Sequence, residues 1–243
     1  RFADSVEIDE VKKILDRQIE YNMAIAEEGL KKEYGANVGK VLLRAYQPDI
    51  KITAKAYAAA ASDARMNGCE LPVIINSGSG NQGITATLPV VVYAEDNHKN
   101  EEELIRALAL SHLTVIYIKQ SLGRLSALCG CVVAATGSSC GITFLMGGNY
   151  EQITYAVKNM IANITGMICD GAKPSCALKL TSGVSTAVLS AILAMENKCV
   201  TSVEGIIDDD VDRSIRNLTR IGSQGMNETD KLVLDIMTNK QCN

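Results

Sequence analysis

The sequence predicts a mainly helical protein, and three stretches carry that expectation. Residues 9–30, 100–116 and 208–221 each repeat apolar side chains at the three-and-four spacing that lines one side of an α-helix. In the first, Val11, Ile14, Leu15, Ile19 and Ile25 fall on one side and Lys12, Arg17, Glu20 and Glu27 elsewhere, with an end expected near Gly29. Gly35 and Pro48 then frame a looser connection. In the second, Asn100 is an N-cap, Glu101 and Glu102 favour the positive end of the helix dipole, and Glu103 completes a capping box ahead of Leu104, Ile105, Leu108, Leu113 and Ile116. In the third, Asp208, Asp209 and Asp210 precede Val211, Ile215, Leu218 and Ile221. The pairs Asp209–Arg213 and Asp212–Arg216 stand four residues apart there, each worth a few tenths of a kcal/mol on a solvated face. Residues 181–195 are small and apolar throughout and predict a buried helix.

Residues 71–93 are the exception. Val73-Ile74-Ile75 and Val90-Val91-Val92-Tyr93 have strand propensity and flank Asn76-Ser77-Gly78-Ser79-Gly80-Asn81-Gln82-Gly83. That glycine-rich segment matches neither the dinucleotide fingerprint nor the phosphate-binding P-loop. It is either a tight turn using positive-φ glycine, or an anion cradle of backbone N–H groups at a helix N-terminus.

The 243 residues carry 24 Lys+Arg against 28 Asp+Glu, a net charge of -4, without a basic cluster that could track phosphates, so nucleic acid is not an expected partner. With two Phe, eight Tyr and no Trp, base-stacking platforms are poorly supported too. One sizeable core is expected, a single domain over residues 1–243. Residues 125–150 run without a charge and are long enough to cross a bilayer. Five glycines and several hydroxyls interrupt the run, so two short buried helices joined by a turn at Gly137-Ser138-Ser139 are expected in place of a membrane span.

Eight cysteines in a chain of this length point to a reducing, cytoplasmic setting, with metal binding or thiol chemistry ahead of disulfides. Cys169 and Cys176 flank Asp170-Gly171-Ala172-Lys173-Pro174, which has to turn and could aim both sulfurs at one centre; the alternative is two buried core thiols. His112 falls on the stripe of Leu104, Leu108 and Ile116, the position of a core histidine hydrogen-bonded to backbone or to a nearby hydroxyl, whereas His98 sits in a polar loop.

Four ordered motifs carry a resemblance. They are Asn76-Ser77-Gly78-Ser79-Gly80-Asn81-Gln82-Gly83 with Ile84-Thr85-Ala86-Thr87-Leu88-Pro89, then Ser111-His112-Leu113, then Leu125-Ser126-Ala127-Leu128-Cys129, then Gly166-Met167-Ile168-Cys169-Asp170-Gly171-Ala172-Lys173-Pro174-Ser175-Cys176. With Ser62-Asp63-Ala64-Arg65 and Glu204-Gly205-Ile206 they resemble the L-cysteine desulfidase branch of the iron-sulfur L-serine dehydratase alpha-chain family, over essentially the whole chain. The resemblance implies an all-α fold, so helix or loop is expected to override the strand propensity of residues 71–93. It also implies a [4Fe-4S] cluster held by Cys129, Cys169 and Cys176 with one iron open, Cys131 and Cys140 being lesser alternatives to Cys129. Converging thiolates need such a counter-charge, since two of them about 4 Å apart repel by roughly 4 kcal/mol at an effective dielectric near 20.

The implied reaction is β-elimination of L-cysteine to pyruvate, ammonia and sulfide, with L-serine dehydration or non-catalytic binding of an amino acid or cluster as the alternatives. Ser77, Gly78, Ser79, Gly80, Asn81 and Gln82 would hold the substrate carboxylate. The family's base is thought to be a cysteine in a Cys-Thr-Glu-Pro motif, which this sequence lacks. The chain is therefore expected to be the C-terminal part of a longer protein whose missing N-terminal segment supplies the base, with His112 the first candidate within these residues. A homo-oligomer is compatible with this reading.

Overall fold

The computed structural model describes residues 2–123 and 126–240. Among them the chain forms α1 (Phe2–Ser5), α2 (Ile8–Lys31), α3 (Val38–Ala45), α4 (Ile50–Met66), α5 (Gly80–Asp96), α6 (Glu101–Leu122), α7 (Gly130–Leu145), α8 (Tyr150–Ile164), α9 (Cys176–Met195), α10 (Val211–Arg220), a π-helical turn (Ile221–Gly225) and α11 (Asn227–Thr238). The extended pairings among these residues are two isolated bridges, Asn76 with Ser79 and Leu128 with Ile168. Arg1, Leu125 and Cys242 lie outside the described residues.

At the centre is α7, with α5, α6, α8 and α9 packed around it. Residues 131–143 are all buried, which leaves no water to solvate a broken backbone. The expected turn at Gly137-Ser138-Ser139 is therefore not formed, and these residues lie in mid-helix. The helix hydroxyls satisfy themselves on nearby carbonyls: Thr136 on Val132 at 2.8 Å, Ser138 on Ala135 at 3.1 Å, Thr143 on Ser139 at 2.8 Å, and Ser139 across to Ala187 of α9 at 2.9 Å. What looked like turn residues is a close-packing stripe. A Cβ on Gly137 would stand 2.5 Å from the Ser111 carbonyl oxygen, and one on Gly141 would stand 3.0 Å from that of Ala107. The backbone of α6 lies directly against α7.

The outer helices follow from their sequences. The alanines of α4 let α2, α3, α5 and α9 pack around it. Asn100 and Glu103 form the expected capping box at the start of α6, and Asp210 caps α10 by accepting from the Asp212 and Arg213 N–H groups. The four-residue pairs expected in α10 are replaced: Asp212 accepts from the Tyr117 hydroxyl at 3.0 Å, and Arg213 lies 3.9 Å from Asp208. The first apolar stripe also loses a member, because Ile14 is 63% exposed, and Leu113 and Ile116 of α6 face outward.

Strand propensity does not prevail in residues 71–93. Residues 73–75 run as loop and residues 90–93 lie inside α5, whose valines at 90 and 91 are fully buried. For β-branched side chains the burial outweighs the modest strand preference. Pro89 sits inside the same helix and denies the Thr85 carbonyl its usual partner. Among the described residues one helix, α9, is long and apolar enough to cross a membrane, and 44% of its most apolar window is buried inside the protein.

Gly137→Ala should lower stability by about 1–3 kcal/mol in urea titration, against the roughly 0.5–1 kcal/mol that alanine gains over glycine in helix propensity. Gly166→Ala, with nothing within 4 Å of the added methyl, should stay within about 0.5 kcal/mol.

Candidate active site

The glycine-rich segment is both a turn and a helix start. Asn76 and Ser79 exchange backbone hydrogen bonds of 3.2 and 3.0 Å, and the two residues between them, Ser77 at φ 48° and Gly78 at φ 85°, both take positive φ. Two successive positive-φ residues mark the primed turn used in tight hairpins. Ser79 then caps α5, its hydroxyl accepting from the Gln82 N–H at 3.4 Å. The first turn of α5 presents its unpaired N–H groups immediately beyond the turn. Ser77 and Gly78 are exposed at the tip, while Gly80 and Gln82 are buried.

His112 holds this turn from below. The Asn76 amide donates to His112 Nδ1 at 2.8 Å and to its carbonyl at 3.3 Å. Thr87 Oγ1 donates to the Gly83 carbonyl at 2.8 Å, so at 3.2 Å from His112 Nε2 it accepts. Both partners therefore fix the neutral tautomer with the proton on Nε2. Burial pushes its pKa down to about 4. The ring is a strut between α5, α6 and the turn, with both nitrogens engaged.

The cysteines come together through the chain on either side. The Cys129 N–H donates to the Met167 carbonyl at 2.9 Å and the Cys169 N–H to that of Ala127 at 2.6 Å, straddling the Leu128–Ile168 bridge. This antiparallel pairing sets the two side chains beside one another. The neighbouring Cys129 thiol is the main reason that the Cys169 pKa is lowered. The Gly171 N–H and the Lys179 and Lys173 ammonium groups add to it, against the cost of burial. Cys129 moves the opposite way, upward, since it is the donor and is buried. Lys179 is itself fixed by the Ile168 carbonyl at 2.7 Å and by the Asp170 carboxylate. Burial pulls the Lys119 ammonium on α6 downward, and Cys169 pulls it back.

Cys176 opens α9, and its sulfur lies 3.8 Å from the carbonyl of Gly171, the residue whose N–H points at Cys169. Gly171 thus lies between Cys176 and the pair. Cys131 turns into the α7–α9 contact and donates to the Lys179 carbonyl at 3.2 Å, with its pKa pushed up to about 12 chiefly by burial. Cys140 is fully buried nine residues further along α7, about 14 Å down the axis.

Among the described residues, no three His, Cys, Asp or Glu side chains stand as a ready metal-holding group. The donor types nevertheless fit an iron-sulfur centre: the Cys169 thiol pKa is lowered by the Cys129 beside it, Cys176 stands on the far side of Gly171, and lysines are near to balance the charge. The sequence reading gave no role to Lys119 or Lys179, and it used Arg65 only as part of the Ser62-Asp63-Ala64-Arg65 motif. Each is a single charge on a helix whose partners come from other segments, so local sequence assigns it no role.

Iodoacetamide labelling of the cluster-free protein at pH 6.5, followed by mass spectrometry, should modify Cys169 first. Cys129→Ala removes its hydrogen-bond donor, should return the thiol toward the ordinary value near 8.5, and should slow labelling at that pH at least about tenfold. His112 gives a pH signature. Its folded pKa near 4 lies below the unfolded 6.5, so the unfolded state takes up the proton first. The stability difference between wild type and His112→Gln should be largest above pH 6.5 and should shrink by up to about 3 kcal/mol as pH falls toward 4, measured as urea midpoints.

A sequence profile described as serine dehydratase alpha chain matches residues 1–235. A UPF0597 protein of Phocaeicola vulgatus is 72% identical over 247 residues, covering 99% of this chain and 57% of its own length. The UPF0597 protein BF3560 of Bacteroides fragilis is 68% identical with the same coverage, and UPF0597 protein DSY1109 of Desulfitobacterium hafniense is 52% identical over 99% of this chain and 56% of its own. The chain thus spans little more than half the length of these curated relatives. No solved structure matches it. With the profile covering nearly the whole chain, the protein belongs to the serine dehydratase alpha chain family.

Proposed function

We propose that the full-length protein is an iron-sulfur lyase that eliminates sulfide from L-cysteine. The Cα proton and the Cβ–S bond are lost, giving 2-aminoacrylate and hydrosulfide, and the aminoacrylate tautomerises and hydrolyses to pyruvate and ammonia. The observation that carries the reading is the backbone pairing across Leu128 and Ile168, which brings Cys129, at the start of the central helix, beside Cys169.

In this reading Cys129, Cys169 and Cys176 hold a [4Fe-4S] cluster. Bound there, the cluster supplies a soft Lewis acid for the departing thiolate. The chain's own residues do the rest of the positioning. Lys173 and Lys179 favour the Cys169 thiolate, Asp170 fixes both lysines, and Ser77, Gly78, Gly80 and Asn81 within residues 77–82 offer backbone N–H groups to the substrate carboxylate. His112, through Asn76, sets where that turn stands. We assign removal of the α-proton to the part of the longer protein outside this chain, with His112 the second candidate. The seven described cysteines are free thiols, which supports a reducing, cytoplasmic setting. The family's description favours L-serine as a second substrate, with water as the leaving group.

Under anaerobic reconstitution the full-length protein should release sulfide from L-cysteine, and the 243-residue chain should be slower by about 10²–10⁴, the usual contribution of a general base. Cys129→Ala, Cys169→Ala and Cys176→Ala should each lose iron and visible absorbance, whereas Cys140→Ala should keep both. Comparable rates for the two lengths would put the base within these residues, and His112→Ala would then decide whether it is that ring.

A further inference from the structure

We infer that Arg65 binds the α-carboxylate of the substrate and thereby restricts the site to free α-amino acids, an assignment that rests on the lyase reading above. Arg65 stands on the last turn of α4, against the first turn of α5. A Cβ on Gly80 would lie 2.3 Å from Arg65 Nε and 2.8 Å from its Cζ, so the guanidinium occupies the space that any larger residue would fill. Its Nη1 donates to Met66 Sδ at 3.0 Å and to Asn81 Oδ1 at 3.2 Å. Neither acceptor is charged, and among the described residues no carboxylate pairs with Arg65. A half-buried guanidinium, with five donors in a planar fork, is thus stacked on the positive end of a helix with no anion between them. An incoming carboxylate relieves that arrangement and uses both features together.

A second, independent feature distinguishes an amino acid from a simple anion. Gln82 is 6% exposed and its Oε1 has no hydrogen-bond partner. Its amide lies against the first residue of α7, since a Cβ on Gly130 would stand 2.8 Å from Gln82 Cδ and 2.9 Å from Nε2. An unpaired buried acceptor costs about 1–3 kcal/mol, and here it sits between the first turns of α5 and α7. A carboxylate or phosphate alone gives it nothing. A molecule with a carboxylate and an ammonium on one carbon satisfies Arg65 and Gln82 at once.

The test uses the full-length, cluster-loaded protein with paired substrates, L-cysteine and L-cysteinamide. Wild type should prefer the free acid. Arg65→Gln should raise KM for L-cysteine about 10- to 100-fold with a smaller change in kcat, leave the amide unaffected, and so collapse the preference; Arg65→Lys should restore part of it. A binding readout without turnover uses L-alanine against L-alaninamide in thermal shift, where only the acid should stabilise wild type and neither should stabilise Arg65→Gln. Retention of the acid preference in Arg65→Gln would overturn the assignment. If Arg65→Gln fails to fold, an acid preference in Arg65→Lys equal to wild type in both assays would overturn it equally, and a reduced one would support it. Absence of turnover with either L-cysteine or L-serine, beside Arg65-dependent stabilisation by L-alanine, would instead sink the lyase reading and leave the carboxylate assignment standing.

Discussion

A helix buried on every side has to be built from residues that need nothing from solvent, and α7 is such a helix. Its small residues admit the backbones of neighbouring helices, its hydroxyls bond carbonyls within α7 or on α9, and it carries no charge. The other helices are arranged around that requirement. Because α7 cannot be displaced without opening the core, its first turn is a fixed point. Cys129, Gly130 and Cys131 stand there, and the turns that open α5 and α9 converge on it.

Electrostatics at that point are set by hydrogen bonds more than by charge count. The net charge of the chain is only -4, yet the Cys169 pKa is lowered because the Cys129 thiol stands beside it, the loop before α9 turns the Gly171 N–H and Lys173 toward it, and Lys179 adds a second ammonium from α9. The same logic, inverted, governs His112. Two neutral partners and full burial make the charged form expensive, so the ring serves as a rigid connector from α6 to the glycine-rich turn. The two sides of the site therefore do different physical work. One stores charge and the other fixes geometry.

The fit between the observed arrangement and the family is strongest where the chain's own backbone does the positioning. The Leu128–Ile168 pairing brings two segments about 40 residues apart into register, and Gly171 turns its N–H toward one sulfur and its carbonyl toward another. Neither depends on a bound group. Arg65 and Gln82 stand at the other side, brought together from α4 and α5.

The sequence alone determined the helical class and the capped start of α6, and it marked the glycine-rich segment as a turn or cradle and the cysteines as candidate ligands, because caps, periodicity and motif order are local properties. Tertiary structure decided what depends on neighbours. It turned Gly137-Ser138-Ser139 from an expected turn into mid-helix, since inside the core an interrupted backbone would be left unpaired. It absorbed residues 90–93 into α5, because burial on all sides outweighs β-branching. It exposed Ile14 although the stripe predicted burial, since periodicity says which residues share a side but not how much of that side a neighbour covers. The partnership of Cys129 with Cys169, the tautomer of His112 and the placement of Arg65 over Gly80 are likewise long-range contacts, fixed only when separate segments pack.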